Sequence, residues 1–223
     1  MNKTMTRNLL CGCLVAAALL SDPTVTSAVS IPILNPSFET PVADSSGFLP
    51  NGTPVDDWTS NDPFKGGIWN IENPGSSFWS VPAPDGEQVI YLGYFGIAYV
   101  DQTLSETIQA NSTYTLTGYV ATLAGYSAPY LISLRTGATE LASITGTPSE
   151  GTFDPFALVF NSTGSAFVGQ PLTIRLQSGA DGSSAQDYFD GLELNRAAVP
   201  EPSTLVLVAV GGLVALISRK RRS

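Results

Sequence analysis

Apolar and polar residues alternate in short bursts through the middle of this chain. Thr113-Tyr114-Thr115-Leu116-Thr117 alternates strictly, and so does Leu172-Thr173-Ile174-Arg175-Leu176-Gln177. A period of two sends alternate side chains to opposite faces of an extended strand. Tyr114, Leu116, Leu172, Ile174 and Leu176 are therefore expected in a core, with their polar neighbours outward. Comparable β-rich runs recur between glycine, proline, asparagine and aspartate punctuation, and residues 29–198 carry no helical stripe. The pattern predicts strands at 33–39, 67–71, 88–92, 98–104, 113–122, 130–136, 140–145, 151–161, 172–178 and 187–195. Strands with one apolar face pack most simply as two sheets. The fold class is thus all-β, an antiparallel β-sandwich over residues 29–198, with Trp58 in its core.

Each extremity breaks the pattern with an uninterrupted apolar stretch. In residues 1–28, Lys3 and Arg7 precede an apolar run at 9–20, and Thr26-Ser27-Ala28 offers small residues for a cut. About a dozen apolar residues fall short of the roughly 20 that a bilayer span needs, which favours a cleaved signal peptide over an anchor. The run continues past Cys13, whereas a lipoprotein cysteine closes such a run, so acylation there is the weaker reading. At the other end, Val199-Pro200-Glu201-Pro202 leads into an apolar segment at 205–217 and a basic stop of Arg219, Lys220, Arg221 and Arg222. The prolines flanking Glu201 interrupt any helix there. As a short C-terminal helix, residues 205–217 would be about 20 Å long against about 30 Å of hydrocarbon. The arginines are expected to stay cytoplasmic, leaving the body across the membrane.

Residues 199–223 resemble the PEP-CTERM sorting signal of Gram-negative bacteria in the order of Val-Pro-Glu-Pro, short apolar segment and arginine-rich end. The resemblance implies an exosortase-type protease as partner, cutting near the motif after signal peptidase has removed the leader. It also implies transient inner-membrane insertion through the C-terminal helix, a cell-surface or extracellular destination, and hosts that make exopolysaccharide and biofilm. A plain anchor that is never cut is the competing reading. The same tail also carries the label "ice-binding protein, C-terminal", which describes the tail and not the body. The Thr113, Thr115, Thr117 ladder is not repeated across strands, as a flat ice face would require.

Composition narrows the chemistry. Within residues 29–198 there are 17 acids against Lys65, Arg135, Arg175 and Arg196, a net charge of −13. Phosphate backbones repel such a body, so nucleic acid is a poor partner. The chain has no histidine, and Cys11 and Cys13 both lie in the leader. Ser-His and Cys-His nucleophile systems and histidine- or thiolate-bound zinc are excluded from a processed chain. A carboxylate pair for glycoside hydrolysis remains formally open. The acids sit mostly in turn-rich segments with no apolar pocket evident around a pair, and the expectation is a domain without catalytic activity.

Several pieces resemble the jelly-roll modules of the galactose-binding-like and carbohydrate-binding class. Asn35-Pro36-Ser37-Phe38-Glu39 resembles their opening strand, Thr113-Tyr114-Thr115-Leu116 a central one and Tyr188-Phe189-Asp190-Gly191-Leu192 the closing one. The resemblance implies a structural Ca²⁺ joining first and last strands, nominating Glu39 and Asp190 with Asp187 in addition. Alternatively these acids cap turns and accept backbone N–H groups. It also implies a carbohydrate or exopolysaccharide ligand. Sugar C–H faces stack on exposed rings, which makes Trp69, Trp79, Tyr94, Tyr126 and Tyr130 the glycan-binding candidates. The plainer reading has most of these aromatics covering sheet ends. For the whole chain, a non-catalytic surface binding module competes with a structural biofilm-matrix protein that has no specific glycan ligand.

Overall fold

The computed structural model describes residues 27–43, 47–50, 52–72, 78–79, 81–93, 96–126, 129–179 and 186–199. The leader, Pro200, Glu201 and Pro202 of the sorting motif, the apolar segment 205–217, the basic stop Arg219, Lys220, Arg221 and Arg222, and Tyr94 lie outside these residues. Among the described residues no helix is long and apolar enough to cross a membrane.

The body is an antiparallel β-sandwich of two sheets. β1 (Val29–Ile31), β3 (Gly66–Asn70), β4 (Gln88–Leu92), β6 (Ser112–Thr122), β9 (Asp154–Asn161) and β11 (Asp187–Ala198) form the first. Its strand order is β3-β4-β11-β6-β9, with β1 beside the second half of β11. β2 (Thr59–Ser60), β5 (Ala98–Thr107), β7 (Tyr130–Thr136), β8 (Thr139–Gly146) and β10 (Pro171–Ser178) form the second, ordered β2-β5-β10-β7-β8. A single 3-10 turn at Pro63–Lys65, capped by the Asp62 side chain, precedes β3.

The strict alternations behave as a half-buried sheet requires. Tyr114, Leu116, Leu172, Ile174 and Leu176 are wholly buried between the sheets, and Thr113, Thr115 and Thr117 face outward. Trp58 is buried in the same core, its indole N–H donating to the Asn35 carbonyl at 3.3 Å. β3 and β4 behave differently. All five residues of β4 are buried, because a second apolar layer of Trp69, Ile71, Val89, Tyr91, Ala121, Leu123 and Tyr188 covers the outer face of the first sheet. A strand buried on both faces reads as a continuous apolar run, and its alternation disappears.

The expected strand at 33–39 does not form. β1 lies earlier, and the following segment turns through positive φ at Asn35 and Phe38. Side-chain amides replace the missing ladder. Gln102 accepts from the Leu34 N–H at 2.9 Å and donates to its carbonyl at 2.8 Å. The Gln88 amide donates to the carbonyls of Phe38 at 3.0 Å and Pro41 at 3.3 Å and accepts from the Ala43 N–H. Both glutamines are buried, so these bonds satisfy backbone groups that would otherwise be desolvated without partners. The strand expected at 151–161 starts later, at Asp154, because Gly151 turns the chain at φ +70°. β11 carries a register shift between Asp190 and Glu193, where Gly191 adopts φ +57°.

Gln88→Ala strips three bonds from a buried segment at once. It is expected to lower the unfolding free energy by about 3 kcal/mol in a urea titration followed by tryptophan fluorescence. A loss under about 1 kcal/mol would mean that the segment is held mainly by Phe38 and Trp58 packing.

Candidate functional site

The outer layer of the first sheet does not close completely. It leaves a cleft of about 410 Å³ lined by Phe48, Leu49, Trp69, Phe78, Tyr91, Leu123, Tyr126, Gln186 and Tyr188. Three neighbouring strands supply the floor, with Trp69 on β3, Tyr91 on β4 and Tyr188 on β11. Tyr91 pairs directly with Tyr188 across β4 and β11, and with Gly67 across β3 and β4. A Cβ at Gly67 would come within 2.9 Å of the Tyr91 hydroxyl, so the glycine leaves room for that ring. The loop at 47–49 runs along β3, with the Leu49 N–H donating to Ile68 and the Asn70 N–H to Gly47. That path stacks Phe48 on Trp69, centroids 4.5 Å apart and planes 17° from parallel. Phe78 meets Trp69 edge-on at 6.1 Å. Phe78 and Tyr126 form the rim and are 63% and 47% exposed.

Polar atoms are few and placed at one end. The Tyr188 hydroxyl donates to Oε1 of Gln186 at 2.8 Å, both residues being buried. Gln186 is held in turn by its backbone, its N–H donating to the Tyr126 carbonyl and its own carbonyl accepting from the Thr122 hydroxyl. Burial first, then the neighbouring Tyr91, Tyr126 and Asp187, pushes the Tyr188 phenol well above the ordinary tyrosine range. Tyr188 therefore keeps its proton and acts as a fixed hydrogen-bond donor. Asp187, the preceding residue, is fully buried with both carboxyl oxygens shielded from solvent.

The structure separates the aromatic residues that sequence grouped together. Trp69 was expected as an exposed platform, yet it is 4% exposed and surrounded by Phe48, Phe78, Trp79 and Tyr188, so only part of its ring borders the cleft. Trp79 is half-buried, stacked flat on Phe153 at 4.9 Å and edge-on to Tyr188 at 4.8 Å, which occupies its ring surface. Tyr130 packs against the inter-sheet core, edge-on to Phe189 at 6.5 Å, on the other side of the sheet from the cleft. Tyr126 alone of the five stands at the cleft rim, and Tyr94 is outside the described residues. Phe48, Tyr91, Gln186 and Tyr188 were not anticipated. Tyr91 and Tyr188 lie within expected strands and would follow from recognising that both faces of the first sheet are buried.

The expected calcium ligands are also divided. Alternation along β11 places Asp187 on the face of Phe189, toward the sandwich interior, and Asp190 on the face of Tyr188. Three residues of separation cannot bring both to one ion. Glu39 Oε1 accepts from the N–H groups of Glu87 at 2.9 Å and Gln88 at 2.8 Å. Asp190 accepts from the N–H groups of Asp85 at 2.9 Å and Gly191 at 2.7 Å. Among the described residues no cluster of three acids is arranged to hold a metal.

Comparison with known proteins places the chain. Residues 29–195 match the family model described as HpiC1 cyclase, and residues 198–222 match the PEP-CTERM protein-sorting motif. The Stig cyclase Fisc from Fischerella sp. TAU, in complex with (3Z)-3-(1-methyl-2-pyrrolidinylidene)-3H-indole, is 27% identical with a TM-score of 0.67, over 78% of this chain and 100% of that one. A cyclase from Fischerella sp. TAU in complex with 4-(1H-indol-3-yl)butan-2-one is 27% identical with a TM-score of 0.66, over 77% of this chain and 99% of that one. An arabinose-bound α-L-arabinofuranosidase shares the fold alone, at 13% identity and a TM-score of 0.50 over 75% of this chain and 26% of that one. No curated protein matches the sequence. The expectation of a domain without catalytic activity is corrected by these matches, since the matched family is one of cyclases and the Fischerella cyclases align over 77–78% of the chain. The sandwich ends in a PEP-CTERM sorting signal, and the chain belongs to the HpiC1-like cyclase family.

Proposed function

We propose that the exported body closes a ring on a flat, largely apolar aromatic substrate held in the cleft of the first sheet. The observation that carries this reading is the convergence of Phe48, Trp69, Phe78, Tyr91, Tyr126 and Tyr188 on one cleft with polar atoms at a single end. Such rings sandwich a planar molecule and stabilise positive charge that develops on it. Family membership supports catalysis, and the indole-bearing ligands of the Fischerella cyclases have the shape this cleft suits.

The chemistry needs only a proton donor, a dry site and room for a cation. Protonation of an electron-rich double bond breaks its π bond and leaves a carbocation. A second π bond of the same molecule then attacks, forming the new carbon–carbon bond, and proton loss from the product restores the acid. No oxidant or cofactor is consumed. Tyr188 is the group on the cleft face suited to that role, its phenol kept protonated on the cleft floor by burial. Asp187, on the opposite face of β11, acts on that phenol only through its charge, as it does on Tyr130. Gln186, bonded to the Tyr188 hydroxyl, orients the substrate's polar end.

A glycan ligand is the second reading, favoured by the exposure of Phe78 and Tyr126 at the rim, where ring faces are open to sugar C–H groups. The sorting signal supports display at the surface or outside the cell for either reading, with exosortase as the processing partner and transient inner-membrane insertion before the cut.

Titration with 4-(1H-indol-3-yl)butan-2-one is expected to quench tryptophan fluorescence saturably. Phe78→Ala and Tyr126→Ala should each weaken binding about tenfold. Tyr188→Phe should leave that affinity within about threefold and cut conversion of an indole bearing an unsaturated side chain by at least about 100-fold. Saturable binding of a xylo- or galacto-oligosaccharide, with no response to the indole probe, would replace the cyclase reading by the glycan one.

A structural calcium at Glu39 and Asp190 is a separate proposal, now without Asp187. Burial, and then the nearby charges of Asp85 and Glu39, pushes the Asp190 carboxyl up to about 8. A carboxyl raised in the folded state stabilises the protein fully below its unfolded value of about 3.9, and that contribution is lost as pH climbs through about 8. In chelating buffer, stability should therefore fall from pH 4 to pH 8, and Asp190→Asn should flatten the fall. Calcium at pH 8 should raise Tm in the native chain and not in Asp190→Asn. Equal shifts in both would place any ion elsewhere.

A further inference from the structure

Both ends of the body leave the sandwich at one pole. Val29, which opens β1, pairs with Arg196 near the end of β11. The Val199 N–H donates to the carbonyl of Asn111, in the β5–β6 turn, at 2.7 Å. From Tyr188 on the cleft floor, β11 runs to Ala198 at this pole, about 33 Å at roughly 3.3 Å per residue. The apolar stretches at 9–20 and 205–217 lie beyond these two ends, and the sorting motif begins at Val199 itself.

Charge is distributed unevenly between this pole and the remainder. The β5–β6 turn at 108–111 and the β9–β10 connection at 162–170 contain no acidic or basic residue. The charged side chains flanking them are paired, Arg196 with Glu106 at 3.5 Å and Arg135 with Glu140 at 3.6 Å. The net charge of −13 over residues 29–198 therefore falls on the other 15 acids and 2 bases. Val29 and Val168, both exposed, add apolar surface at the same end.

We infer that this neutral pole is the surface the tail-bearing protein sets against an anionic lipid bilayer, with the cleft pointing away from it. The inference rests on reading 205–217 as a membrane-inserting sorting tail. An acidic surface is repelled by anionic headgroups over a screening distance of about 8 Å at physiological salt. Only residues 200–204 separate the body from the apolar segment, at most about 20 Å of chain, so the pole that carries Val199 is held nearest the surface. Pole-down, the body keeps the remaining acids beyond that distance and leaves the rim of Phe78 and Tyr126 open to solvent.

The test uses the full-length chain with its tail in vesicles of phosphatidylcholine and phosphatidylglycerol carrying a headgroup-attached spin-label quencher. The body has no cysteine, so with Cys11→Ser and Cys13→Ser in the leader a single fluorophore reports one position. A probe at Thr163→Cys, in the β9–β10 connection, should be quenched at least about threefold more than one at Tyr126→Cys. Adding Ala166→Glu and Gln170→Glu should reduce quenching at position 163 by about half with phosphatidylglycerol present and leave it unchanged in pure phosphatidylcholine. Equal quenching at both positions in a chain that co-floats with the vesicles overturns the orientation and leaves the sorting tail intact. A chain that does not co-float overturns both.

Discussion

The structure depends on β11. This strand lies at the centre of the first sheet, pairing with β6 on one side and with β4 and β1 in succession on the other. Its alternation serves two apolar layers at once. Phe189, Leu192 and Leu194 enter the inter-sheet core, while Tyr188 enters the outer layer under the loops. A sheet buried on both faces loses the freedom to slip, because a one-residue shift would exchange Tyr188 with Phe189 and leave neither layer filled. The floor of the cleft is thus fixed by the same pairing that fixes the core.

Much of the fold could be read from sequence, and the reasons for the failures are physical. Tyr114, Leu116, Leu172, Ile174 and Leu176 were assigned to the core because their strands have one wet face. Trp69 was read as an exposed ring, and Tyr91 could not be assigned a side, because residues 89–92 are apolar throughout and period-two reasoning has nothing to grip there. The segment at 33–39 reads as a strand in sequence. It folds otherwise because Gln88 and Gln102, some 50 to 70 positions away, supply its hydrogen bonds, and no local pattern encodes a partner so distant. Asp187 and Asp190 were grouped by resemblance, although their odd spacing on a strand already argued for opposite faces.

The catalytic expectation failed for a different reason. Residues 29–198 contain no histidine or cysteine, which rules out only nucleophile systems built on those side chains. That exclusion does not extend to reactions driven by proton delivery into an apolar cavity. Those need one proton donor, aromatic walls and little else, and composition is nearly blind to such a requirement. The Tyr188–Gln186 pair at one end of the cleft is the kind of arrangement that only a folded sheet reveals, since Tyr126 and Thr122 hold Gln186 from other parts of the chain.

The position of β11 also has a kinetic meaning. A polypeptide threaded out of a cell from its N-terminus releases β3 and β4, then β6 and β9, well before residues 187–198 appear. Until they do, the first sheet is two unjoined pieces with bare edges and no middle. The closing strand arrives only just ahead of the sorting motif, so translocation must be nearly complete before the sandwich can assemble. An interrupted export event would then yield sticky, incomplete sheets in place of a smaller working domain.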